Sequence, residues 1–72
     1  MTIQELRKRR GLTQGQLAEA LGTTRVTIAR YETGERTPRL QTIEKLAAIL
    51  QVTPGEVAAS LLQRNAVSYT HL

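Results

Sequence analysis

The chain has 72 residues, enough for one small domain that buries only about 60% of its extended-chain surface, which argues against a large enclosed active site. Ten Lys and Arg stand against six acids, all of them Glu, for a net charge of +4, a balance that suits a polyanionic partner and equally an ordinary solvated bundle. With no Cys the chain has no disulfide framework, thiolate zinc site or catalytic thiol; no apolar run approaches the roughly 20 residues of a membrane span or forms a secretory h-region, so the expected location is the cytoplasm.

In chain order, Thr2 with Glu5 fits a capping box and opens a first helix that runs to Arg10, where Gly11 is placed to stop it. Thr13 with Gln16 repeats the signal and opens a second helix, Gln14 to Leu21, closed by Gly22. A third runs from Arg25 to Thr33. Pro38 closes the loop "TGERTP" and introduces a fourth, Leu40 to Leu50, whose stripe of Leu40, Ile43, Leu46, Ala47 and Leu50 has helical period. Thr53 with Glu56, and Pro54 at the first helical position, open a fifth that ends near Leu62. The expected fold is all-α: a compact five-helix domain over residues 1–64, without strands or internal repeats.

The third helix poses a question about its outer face. Ile28 and Tyr31 fall on one side and are naturally buried, leaving Val26, Ala29, Arg30 and Thr33 on the other. A face seen by water alone would carry Lys, Glu and Gln, the last two of which this chain uses freely elsewhere. The second and third helices are joined only by "GTT", so they must cross steeply, and Ala18 is small where the next helix passes over it.

These features resemble the DNA-binding helix-turn-helix. The stretch "GLTQGQLAEALGTTRVTIARYETGERTPRLQTIEKLAAIL" is similar to the Cro and repressor (XRE-type) family, which includes lambdoid phage repressor N-terminal domains, over about Thr2 to Leu62. Thr23 departs from the aliphatic residue more often found there, which bears only on local turn packing. The resemblance implies a repressor-like domain whose helix-turn-helix is formed by helices 2 and 3, with the helix from Arg25 in the DNA major groove. Arg25 and Arg30 then have the forked donors that read N7 and O6 of guanine, Val26 and the methyl of Thr24 suit a thymine methyl, and Ala29 lets the backbone approach. Gln14, at the first turn of its helix, is implied to hold a phosphate. Arg36 and Arg39 flank the turn after the reading helix and are expected to clamp the backbone, with Thr27 and Thr33 as further phosphate contacts. A solvated surface charge remains the alternative for each of these arginines.

In the run "RKRR", the helix dipole accounts for Lys8 and Arg9. Arg7 shares a side with Ile3 and Leu6, where an unpaired charge is costly, and the resemblance pairs it with Glu32 as a structural ion pair. Arg10 leans the same way and is expected at a phosphate. The tail at 65–72 has no stripe or cap, and "VSYTHL" resembles read-through of a sequencing adapter; on that reading the natural gene continues past Ala66 and the lone His71 carries no role. No cofactor, metal site or catalytic constellation is expected: there is no nucleophile-base pair, carboxylate pair or phosphate-gripping glycine loop.

The leading expectation is a bacterial or phage transcription regulator, a repressor, that binds double-stranded DNA at an inverted repeat as a homodimer joined through the Leu50 to Leu62 region. Two other readings stay open. One is an antitoxin-like or adaptor module acting through a protein partner; the other is the terminal module of a larger protein, which would include an enzyme.

Overall fold

In a computed structural model of the chain, residues 1–63 are described, the side chain of Gln63 excepted. The expected tail at 65–72 lies outside them. Five helices follow in order: α1 (Ile3–Arg9), α2 (Gln14–Leu21), α3 (Arg25–Thr33), α4 (Leu40–Leu50) and α5 (Pro54–Gln63), with no strand among the described residues.

Local chemistry sets where the helices begin. The Thr2 hydroxyl accepts from the Glu5 N–H at 3.1 Å while the Glu5 carboxylate accepts from the Thr2 N–H at 2.7 Å. That backbone N–H, aided by the hydroxyl, holds the Glu5 carboxyl below its ordinary pKa. Thr13 with Gln16 and Thr53 with Glu56 make the same reciprocal bonds. Gly22 caps α2 at φ 80°, a left-handed conformation that a side chain would resist. Gln51 adopts that region at φ 59° to cap α4, a cost of roughly 1 kcal/mol that a glycine would avoid.

Each helix contributes to one core. Ile3 and Leu6 of α1, Leu17 and Ala18 of α2, and Ile28 and Tyr31 of α3 meet Leu46, Ala47 and Leu50 of α4 and Val57 and Leu61 of α5. α2 packs on α3 and α4, α4 on α5, and α1 reaches both α3 and α5.

Two expectations need correction. Leu40 shares the period of the α4 stripe but is 70% exposed, because α4 enters the core gradually: Ile43 is half-buried and Leu46 fully buried. The aliphatic residues from Leu50 to Leu62 are mostly consumed internally. Leu50, Val57 and Leu61 belong to the domain's own core, Val52 packs against it, and Leu62 alone of the five is freely exposed, at 77%. The core also holds Ser60, whose hydroxyl donates to the Val57 carbonyl at 2.7 Å and so brings no unpaired donor inside.

Candidate nucleic-acid interface

The turn between α2 and α3 sets the direction of α3. The Gly22 N–H donates to the Ala18 and Glu19 carbonyls, and the Thr23 N–H donates to Ala18 O at 2.9 Å. Thr24 then caps α3, its hydroxyl accepting from the Thr27 N–H at 3.2 Å. Ala18, almost fully buried, lets the two helices close on each other; Ile28 and Tyr31 anchor the inner face. The outer face follows geometrically. Arg25, Val26, Ala29, Arg30 and Thr33 line one open groove of about 370 Å³ together with Gln14 and Glu35, and Val26 is 55% exposed there.

A second open groove, of about 740 Å³, runs between α1 and the start of α2 and shares Gln14 and Arg25 with the first. The two therefore form one continuous surface from α1 to the end of α3. The α1 side is contributed by Gln4 and Lys8, four residues apart and hence on one helical face. Lys8, assigned above to the helix dipole alone, belongs to this surface as well. Its placement was accessible in principle from the i, i+4 spacing opposite Ile3 and Leu6, but which side of α1 faces the groove depends on how α1 seats against α3 and α5.

Beneath the shared boundary, Glu32 ties three helices together. Arg7 Nε donates to Glu32 Oε2 at 2.7 Å, Gln14 Nε2 donates to Oε1 at 3.0 Å, and Arg7 Nη1 donates to the Leu12 carbonyl at 2.7 Å. Both charged side chains are over nine-tenths buried, so the carboxylate and guanidinium each depend on these partners to offset desolvation. One Gln14 amide hydrogen is thus committed to Glu32, and the second remains for an outer acceptor.

The other expected site residues fall into two groups. Thr24 and Thr27 pair their hydroxyls at 3.0 Å at the start of α3, and the Thr33 hydroxyl donates to the Arg30 carbonyl at 3.2 Å, so these three are engaged locally. The Arg36 N–H donates to Arg30 O at 3.3 Å, which folds the loop back onto the end of α3 while the side chain stays exposed; Arg39 caps α4 with no side-chain bond and is also exposed. Neither arginine lines the two grooves. Arg10 is brought somewhere else entirely, into a separate groove with Arg9, Leu50, Gln51 and Val52. Its exposed cap position at the end of α1 turns it toward the α4–α5 junction.

The continuous surface carries Lys8, Arg25 and Arg30 as outward cations, and Glu35 is its one carboxylate among the described residues. A short helix face with arginines, small residues and an exposed valine, beside further donors on α1 and α2, defines a helix-turn-helix built to meet an anionic groove. The helix-turn-helix family model matches residues 3–57. The chain belongs to the XRE-type helix-turn-helix family of DNA-binding transcription regulators.

Among its relatives, the HTH-type transcriptional regulator RghRB of Bacillus subtilis is 49% identical over 51 residues, covering 69% of this chain and 37% of the relative. The cryptic phage CTXphi transcriptional repressor RstR of Vibrio cholerae is 37% identical over 57 residues, 79% of this chain and 51% of that protein. The HTH-type transcriptional activator BcrR of Enterococcus faecalis is 34% identical over 55 residues, 76% of this chain and 27% of the activator. The chain thus spans about half or less of the lengths of these relatives.

Proposed function

We propose that the chain binds a specific double-stranded DNA site and acts as a repressor by occupying it. What supports this reading is the outer face of α3: Val26 is more than half exposed, Ala29 adds no bulk, and Arg25 and Arg30 flank them, an arrangement that contributes nothing to the core. In a major groove each group has a use. Arg25 and Arg30 offer paired donors to guanine, Val26 and the Thr24 methyl meet thymine methyls, and Ala29 allows close approach. Gln14, Arg36 and Arg39 take backbone phosphates, Thr27 and Thr33 do so once their hydroxyls turn from their local partners, and Lys8 takes the α1 place earlier given to Arg10. The RstR relative is named as a repressor and the BcrR relative as an activator, and the repressor sign follows the more similar of these two, at 37% against 34% identity. No helix among the described residues is long and apolar enough to cross a membrane, and the reading places the protein with DNA in the cytoplasm.

One short helix reads few base pairs, so the working unit is a homodimer on an inverted repeat with half-site centres roughly 34 Å, or about 10 base pairs, apart. Leu62 is the aliphatic residue of α5 left for that contact. Selection of duplexes from a randomised pool, followed by gel-shift titration on spacer variants, tests the whole reading. An inverted repeat should emerge, and adding about five base pairs between half-sites should abolish cooperative binding. Recovery of no preferred sequence, or equal affinity at every spacing, would overturn it.

A further inference from the structure

Among the described residues Glu35 is the one carboxylate on the surface that runs along both grooves, and an anionic partner should disfavour it there. It follows the Gly34 cap of α3, and its Oε2 lies 3.9 Å from Arg30 Nε, with the two side chains 68% and 54% exposed. The approach is toward the Nε edge of the guanidinium. An arginine has five N–H donors, and with Nε turned to Glu35 the two terminal nitrogens stay free for the N7 and O6 acceptors of a guanine.

We infer that Glu35 is a positioning residue that makes Arg30 selective, holding the guanidinium by its Nε edge for a base and opposing its transfer to a phosphate. This rests on the DNA-binding reading above. On a duplex with guanine in place, Arg30 reads the base without leaving its carboxylate. On an unrelated duplex, Arg30 can gain a phosphate only by swinging away, which strands Glu35 beside the anionic backbone. The carboxylate therefore contributes specificity through an unfavourable term against the wrong sequence. An exposed pair is weak, so the effect is a matter of a few-fold on each duplex, but the two shifts have opposite signs.

The test compares the wild type, Glu35→Gln, Arg30→Ala and the double variant on the duplex that wild type selects from a randomised pool and on an unrelated duplex, across several salt concentrations. Glu35→Gln should weaken the selected duplex about threefold and strengthen the unrelated one about threefold, so that selectivity falls roughly tenfold. The salt dependence on the unrelated duplex should steepen by about 0.9 in log–log slope, one added phosphate contact. The loss of selectivity should vanish when Arg30 is already alanine, where relief of charge repulsion moves both duplexes by one common factor. Glu19→Gln, an exposed acid of α2 outside the surface, should shift both duplexes by one common factor. If Glu35→Gln moves both duplexes equally, leaves both unchanged, or lowers selectivity as much without Arg30 as with it, the inference fails while DNA binding stands. If the wild type selects no duplex at all, the DNA-binding reading fails and this inference with it.

Discussion

Helix α3 takes part in two arginine–glutamate pairs that use the same chemistry in opposite ways. Arg7 and Glu32 meet at 2.7 Å with both side chains buried and every strong bond directed, whereas Arg30 and Glu35 stand 3.9 Å apart in solvent. Burial makes the first pair indispensable once formed, because removing one member leaves an uncompensated charge inside the protein. Exposure makes the second exchangeable, since water and an incoming ligand compete with it on equal terms. The inner pair holds the helix; the outer pair leaves its exposed face open to a ligand.

The contrast is broken most severely at Glu32. Glu32→Ala should cost about 3–5 kcal/mol, most of what a domain of this size has to spare, and lower the melting temperature followed by circular dichroism by roughly 15 °C or more. Removing Arg7 as well should add far less than its single loss, because the stranded charge is then gone; strict additivity would dissolve the buried pair as a unit. On α5 the neighbours Leu61 and Leu62 sharpen the same point. Leu61→Ser should destabilise the monomer by about 2–5 kcal/mol, whereas Leu62→Ser should change it by less than about 0.5 kcal/mol yet weaken full-site binding more than half-site binding. Equal losses on full and half sites would remove Leu62 from the dimer contact.

At the outer pair the expected effects are smaller and appear in binding rather than melting. Arg30→Ala should cost on the order of 1–3 kcal/mol on the selected duplex and relax selectivity at one base position. A uniform drop on every duplex would make Arg30 a phosphate clamp. The mildest effect concerns Glu5, whose carboxyl is held below its ordinary pKa by the Thr2 N–H. A depressed folded-state pKa stabilises above the unfolded value and is lost as pH falls through the folded one, so acid should destabilise the wild type there while Glu5→Gln flattens that step. Melting temperatures across the acid range would check it, and an unchanged slope in the variant would assign the step to other groups.

The parts legible in the sequence are those decided within a few residues. Thr2, Thr13 and Thr53 each bond a residue three positions on, so their capping partners can be read without knowing where the helices go. The two faces of α3 are likewise set by one helical period. What escaped depends on how elements cross. Leu40 obeys the stripe of α4 yet projects past the end of the core, and Leu61 and Leu62 differ in fate though they are adjacent and chemically identical. Lys8 and Arg10 are two residues apart in a basic run, and only the seating of α1 on α3 and α5 turns one toward the surface shared with α3 and the other toward the α4–α5 junction. Glu35 was hidden for a related reason: it lies in a loop, whose direction has no period to reveal it.

The shared carboxylate of Glu32 has a thermodynamic corollary. Because α1, α2 and α3 hang on its two oxygens through Arg7 and Gln14, the Gln14 amide and the α3 arginines, to which the proposed reading gives phosphate and base, are held together before any duplex arrives. Their relative ordering is accomplished during folding, so association need not freeze it again. Calorimetry should accordingly show a heat-capacity change in proportion to the surface covered at the interface, without the larger decrement that accompanies a segment folding as it binds.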